Sequence, residues 1–222
     1  TYGMTFYAFN IQSIDFLVMS PYDEKYWVYR KGGVSVTDWH CCAVLGHSPM
    51  RFVWGFDEED LGCRDLKLEL LQQVMTLRLF GVSRFMVACD HGVGLWVAEM
   101  VNFLRERDIG LQLFCVLPHE EQATKWAPYL RERYFKMLEH CSQMAAVSSP
   151  HAQGAQLYAY EAMIDCADIV LAVYDPSSDR GDAVDRAMAY AQEKHREIIA
   201  IHPDTLAVTA STLYADIDLA DP

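Results

Sequence analysis

From residue 41 onward, six short apolar runs rich in β-favouring residues alternate with five segments of helical length, and no other feature restricts the fold so tightly. The runs are CCAVLG (41–46), RFMVACD (84–90), LQLFCVLP (111–118), QMAAVSS (143–149), DIVLAVYD (168–175) and EIIAIHP (197–203). Between them lie CRDLKLELLQQVMTLRLFG, VGLWVAEMVNFLRERD, YLRERYFKMLEHC, GAQLYAYEAMIDCA and DAVDRAMAYAQEKHR. Strands alternating with helices predict a largely parallel sheet covered on both faces. The runs are apolar throughout instead of alternating, as strands buried on both sides require. In the first helical segment Leu66, Leu70, Leu71 and Val74 recur at helical spacing and are expected to form one buried face. The expected fold class is α/β, a three-layer Rossmann-like domain with a mainly parallel sheet.

Three segments follow: an aromatic-rich N-terminal appendage over 1–40, the α/β domain over 41–205, and an acidic C-terminal tail over 206–222 that is expected to be loosely ordered. In the appendage, YWVYRKGGVSVTDW reads as two short strands around Lys31-Gly32-Gly33, a β-hairpin, and is expected to meet a protein partner or a second copy of the chain. The formal charge of −13, with 31 acidic and 18 basic residues, argues against a broad nucleic-acid surface, because nonspecific binding rests on Lys and Arg neutralising phosphates. It leaves room for a small anion held by local backbone groups. The apolar runs are all strand-sized, well short of the ~20 residues a membrane helix needs. Seven cysteines without a Cys-x-x-Cys pair read as reduced, mostly buried thiols. The start, TYGMTFYAFN, shows no basic region followed by a small-residue cleavage site, so the expected location is cytoplasmic.

In open parallel sheets, ligands bind at the carboxyl ends of the strands. Polar residues cluster there: Gly46-His47-Ser48-Pro49, Asp90-His91-Gly92, Pro118-His119-Glu120, Ser148-Ser149-Pro150-His151, and Asp175-Pro176 followed by Gly181. Gly92 and Gly94 open the second helical segment. One reading gives them to an anion approaching the helix start, with Gly92 replaceable without loss of the fold; the other gives Gly92 a positive φ and Gly94 close helix packing. The spacing departs from G-x-G-x-x-G, since position 97 is valine. His47, Asp90, His91, His119 and Cys89 include ligand types for zinc, but without a diagnostic spacing no metal is assigned. Cys89 with His91 or His47 as base would make a nucleophile; a buried strand residue is the simpler reading. Asp182 reads as a helix N-cap beside Arg180, which would attract a phosphate. Trp96 suits core packing better than ligand stacking. Trp126 suits either a packed loop or a stacked base.

The order GHSP, GVGLWVAE, PHEEQATKW and YDPSSDRG resembles the YpsA-type branch of the SLOG superfamily, which is Rossmann-like and related to the lonely-guy phosphoribohydrolases and to DprA. The resemblance covers about residues 41–203, and its most specific parts are Trp96-Val97-Ala98-Glu99 and Pro118 through Gln122 to Trp126. It implies a nucleotide-derived ligand, such as ADP-ribose, a related dinucleotide fragment or a nucleotide; no further cofactor is assigned. Carried over by position, Gly46 and His47 line its phosphate or ribose side, and Gly92 presents N–H groups to the anion. Glu99, the candidate catalytic residue, meets a ribose hydroxyl or orients a water, and Gln122 and Trp126 hold the base. Asp90, His91, Gly94, Trp96, Pro118, Asp175, Arg180 and Gly181 complete the implied site. The chain departs from the family pattern at Ser48 for an arginine, Gly94 for an acid, Ala159-Tyr160 for an Arg-Asn pair, and Arg180-Gly181-Asp182 for a Gly-Gly-Thr loop. Each lost charge-assisted contact is worth roughly 1.5–3 kcal/mol. The expected function is binding or sensing of a nucleotide derivative. The alternatives are a phosphoribohydrolase-like N-glycosidic hydrolase and a protein-interaction module with a degenerate site.

Overall fold

The computed structural model describes residues 39–149, 152–178 and 180–211. Seven strands are present: β1 (Cys41–Gly46), β2 (Arg84–Val87), β3 (Gln112–Leu117), β4 (Gln143–Ala146), β5 (Ile169–Val173), β6 (Glu197–Ile201) and β7 (Val208–Ala210). Five α-helices join them: α1 (Leu61–Leu79), α2 (Val93–Arg105), α3 (Pro128–Glu139), α4 (Ala155–Cys166) and α5 (Ala183–Glu193). One sheet contains all the strands in the order β4-β3-β2-β1-β5-β6-β7, parallel except for β7. The chain therefore winds outward from β1 to β4, returns to lay β5 on the other side of β1, and winds outward again. The order reverses between β1 and β5, which is where such sheets open a crevice at their carboxyl edge.

Strand alternation divides the core. Cys42 and Val44 face one side with the Leu66, Leu70, Val74 and Leu77 stripe of α1 and the inner faces of α2 and α3. Cys41, Ala43 and Leu45 face the other, against α4 and α5. That second layer is rich in small residues, Ala43, Ala159, Ala172, Ala187 and Ala191, which allow the two helices to lie close to the sheet. The helix starts are encoded locally. Asp60 caps α1 by accepting from the Gly62 N–H at 2.8 Å, Pro128 opens α3 where its missing N–H costs nothing, and Asp182 caps α5.

Several details differ from the sequence reading. Leu71 is only half-buried, and Leu77 extends the buried stripe. The polar ends of the predicted strands, including Asp90, Pro118 and Asp175, leave the ladder and form the loops of the carboxyl edge. All four residues of β4 are exposed, because it is an edge strand beyond the reach of the helices that cover the centre. β7 lies past residue 205, within the segment read as tail, where it pairs antiparallel with β6. The proposed hairpin around Lys31 and the tail beyond Ser211 lie outside the described residues. Among the described residues, no helix is long and apolar enough to cross a membrane.

Candidate functional site

The switch point is built from glycines that close space. A Cβ on Gly46 would lie 2.4 Å from the Val93 Cβ, so the bare end of β1 allows α2 to begin directly above it. Gly92, the residue before α2, has φ 98°, and a Cβ there would strike the Pro49 ring at 2.8 Å. Gly92 is thus fixed both by its backbone and by Pro49, and its replacement would disturb the fold, contrary to the expectation that it is a neutral probe. A Cβ on Gly94 would sit 2.4 Å from Asp90 Oδ1, so the Asp90 carboxyl fills the space beside the first turn of α2.

The start of α2 is polar and incompletely satisfied. Leu95 and Trp96 donate to the carbonyls of Asp90 and Gly92 at 3.0 and 2.9 Å. Among the described residues, the N–H groups of Gly92, Val93 and Gly94 have no protein acceptor. These are the groups that carry the positive end of the helix dipole. Asp90 also receives the Tyr160 hydroxyl at 3.4 Å, and burial pushes its carboxyl up to about 7 despite that bond.

His47 follows β1 into the same crevice and is 2% exposed. Its Nε2 accepts the Asp175 N–H at 3.3 Å, and its ring lies 5.3 Å from that of Tyr174. Burial, reinforced by Arg51, lowers its pKa, so the ring is neutral; with Nε2 accepting, Nδ1 carries the proton. Among the described residues that buried Nδ1 meets no acceptor, and the equally buried Asp185 Oδ1 meets no donor. His47, Asp182 and Asp185 each bring one ligand-type atom within 4.8 Å of the others.

A cation already serves this cluster. Arg51 Nη1 donates to Asp182 Oδ2 at 2.6 Å and to Asp185 Oδ2 at 3.2 Å. The same acids fill the start of α5: Asp182 Oδ1 accepts from Val184 and Asp185, and Asp185 Oδ2 accepts from Arg180 and Asp182. Burial raises the Asp185 carboxyl, but these N–H groups and Arg51 hold it below its ordinary range. The guanidinium halves the charge of the two carboxylates and holds one oxygen of each, and the carboxylates occupy the helix start that a phosphate would need. Gly181 makes the turn into the cap with φ 67°, while Arg180 is exposed and is held through its backbone.

A second group lies over the ends of β2 and β3. His91 stacks on Trp126 at 5.2 Å and 15°, Phe56 leans on His91 at 5.4 Å, and Tyr134 meets Trp126 edge-on. Gln122 donates to the Ala88 carbonyl at 3.3 Å and to the Tyr134 hydroxyl at 3.2 Å. The Pro118 carbonyl accepts from the Ser148 N–H and hydroxyl. Gln122 and Trp126 therefore hold their own loop in place, and His91 lies between Trp126 and the exposed Phe56. His119 is half-buried in the same loop and accepts the Gln122 N–H at its carbonyl.

Glu99 and Trp96 stand apart. Glu99 lies in the second turn of α2, roughly 10 Å along the helix from Gly92 at ~1.5 Å per residue. Both its oxygens are 2.8 Å from Arg133, whose third nitrogen bonds Glu58 at 2.7 Å. Trp96 is 2% exposed, its ring against Phe52 at 6.2 Å and beneath Lys67 at 5.1 Å. Trp96 is a core residue, as the packing alternative had it. Cys89 is equally interior: burial raises its thiol well above the ordinary value, with Met137 Sδ at 4.0 Å. Arg51 and Asp185 are the contributors that sequence reasoning missed, while Pro49 and Tyr160 are named there without a role at this site. Arg51 meets its acids across more than a hundred residues, so no local spacing marks it.

The arrangement defines a class: a Rossmann-like α/β domain whose glycines and polar side chains gather at the switch point of its sheet. The sequence matches the YspA SLOG family over residues 42–206, and the chain belongs to that family. It is 30% identical over 122 residues to a UPF0398 protein of Halalkalibacterium halodurans, covering 54% of this chain and 65% of that one, just under two thirds of the relative's length. A UPF0398 protein of Bacillus pumilus is 25% identical over 183 residues, covering 81% of this chain and 93% of the relative. A UPF0398 protein of Bacillus cereus is 26% identical over 136 residues, 60% of this chain and 73% of the relative.

Proposed function

We propose that this chain binds a nucleotide-derived small molecule at the carboxyl edge of its sheet, with an anionic group on the start of α2. The observation that carries this reading is the run of three N–H groups, Gly92 to Gly94, that have no protein acceptor among the described residues. A 13-residue helix presents its dipole there, and a phosphate or carboxylate satisfies both the dipole and the donors. The neighbouring His47 Nδ1–H and Asp185 Oδ1 favour a hydroxyl as the second recognition element. One hydroxyl accepts from the first and donates to the second, as a ribose hydroxyl or a water does. The Pro49 ring rests against Gly92, so the turn Pro49–Arg51 shares this space with the ligand. The exposed Phe56 ring offers an aromatic surface for a base. In this reading Glu99 supports the fold through Arg133 and is not the residue that meets the ligand.

The test is a thermal-shift screen against ADP-ribose, NAD, AMP, cyclic nucleotides and nucleoside monophosphates. A ligand at ~100 times its Kd stabilises the fold by about 2.7 kcal/mol, a rise of roughly 5–10 °C for a domain of this size. The shift should shrink in His47→Ala, which removes the hydroxyl donor without touching the α2 start. If none of these compounds stabilises the wild-type protein, the reading fails. Release of free base from any hit would convert the binding site into an enzyme's.

A further inference from the structure

We infer that β4 is the surface through which two copies of this chain associate, edge to edge and antiparallel, joining their sheets. Among the described residues, β4 bonds to β3 on one side only. A strand in that position leaves an outer row of unpaired N–H and C=O groups, which proteins ordinarily guard with lysine, proline, a bulge or a covering element. No such guard lies in the strand: residues 141–149 read CSQMAAVSS, without a charge or a proline. All four residues of β4 are exposed, Met144 by 61%, and Val147 just beyond it by 38%. On the α4 side, Phe114 and Val116 of β3 are only half-buried, so the apolar surface continues inward from the edge.

The uncharged edge admits a second copy as its occupant. The chain carries −13, and two such chains repel except where they meet through an uncharged patch. Here nine consecutive residues supply one. The segment is also self-complementary. In an antiparallel pair centred on Ala145, Met144 faces the partner's Ala146, Gln143 faces the partner's Val147, and the two Ala145 meet at the axis, so no two bulky or charged residues collide. The same patch is used on both chains, as a closed two-fold dimer requires. β4 alone is too short to bury the ~1,200 Å² of a stable interface, so its flanks must contribute and a micromolar dimer is expected.

The experiment is sedimentation equilibrium of the full chain between about 1 and 100 µM, comparing wild type with Ala145→Lys and Val53→Lys. Ala145 is exposed, so lysine is tolerated in the monomer, while the dimer would bring two lysines together at its axis. Val53, 90% exposed in the β1–α1 loop, controls for an added surface charge. Wild type and Val53→Lys should approach twice the 25.3 kDa chain mass at the upper concentration, with Ala145→Lys at least tenfold weaker in association. Amide exchange at 143–147 should slow with rising concentration in wild type. A wild-type monomer at 100 µM overturns the inference, as does a dimer indifferent to Ala145→Lys. Protection of 143–147 that is independent of concentration also overturns it, because that edge would then be covered from within the chain.

Discussion

Replacing Asp90 by asparagine should stabilise the protein, and increasingly so as the pH rises. The carboxyl occupies the space left by Gly94 and meets the Tyr160 hydroxyl at 3.4 Å. Burial moves it from 3.8 up to about 7, so the folded state favours the protonated form while the unfolded chain ionises normally. Below about pH 4 both states hold the proton and the group is neutral toward folding. Between about 4 and 7 only the folded state holds it, and stability falls as the pH rises. Moving a carboxyl from 3.8 to about 7 costs the fold at most about 4 kcal/mol, fully present above the upper value. Asparagine keeps the shape and the hydroxyl contact but has no charge to bury. The assay is urea unfolding of wild type and Asp90→Asn at pH 4, 5.5, 7 and 8.5. The difference between them should grow by about 2–4 kcal/mol across that range, with every other titrating group cancelling in the comparison. A difference that stays flat, or that favours wild type at pH 8.5, refutes the burial argument. An anion bound at the start of α2 should likewise bind more weakly above pH 7, where Asp90 ionises beside it.

Gly46→Ala should lower stability by about 1–3 kcal/mol, because its methyl group would overlap Val93; the change is read as the urea midpoint at constant slope. Arg51→Ala should cost about 3–5 kcal/mol by leaving Asp182 and the buried Asp185 without their cation, and the loss should ease as the pH falls toward their protonation. Arg133→Ala should reduce the acid sensitivity of the fold. Arg133 and Lys67 outweigh burial and hold Glu58 down to about 2, giving stability that is present above about pH 4.5 and lost between 4.5 and 2. The variant should therefore show a shallower decline of melting temperature over that interval.

The layers of this fold were legible because the β runs are apolar from end to end and the helical runs are not. Each run contains a strand, and the six-run order led correctly to a parallel sheet. What one sequence does not encode is which strand lies at the edge. QMAA of β4 is as apolar as the central strands and differs from them only in where the topology leaves it. The site divides in the same way. Gly46, His47 and the Gly92 turn follow from strand ends and local chemistry, and the structure gathers them at the β1/β5 switch point. Glu99 sits in a matching motif, yet its neighbour Arg133 lies on α3, and only the packed fold shows the carboxylate occupied. The missing acid at position 94 is instructive: a carboxylate stands beside that spot, but it comes from Asp90.

The two helix starts at the switch point have opposite electrostatic fates, and this limits what the crevice can hold. The α5 start is filled by Asp182 and Asp185, which share the single cation of Arg51, so a phosphate there would meet carboxylates that already own the N–H groups. The α2 start keeps three donors unused among the described residues. One helix can therefore receive an anion and the other cannot. A single phosphate is served by the three α2 donors, a second phosphate finds the α5 donors already taken by Asp182, and the His47–Asp185 pair suits a sugar hydroxyl. A nucleoside monophosphate should consequently stabilise the protein at least as well as ADP-ribose at equal concentration. If ADP-ribose binds more than tenfold tighter by calorimetry, the second phosphate has a partner after all, and the assignment of α5 as a closed helix start must be abandoned.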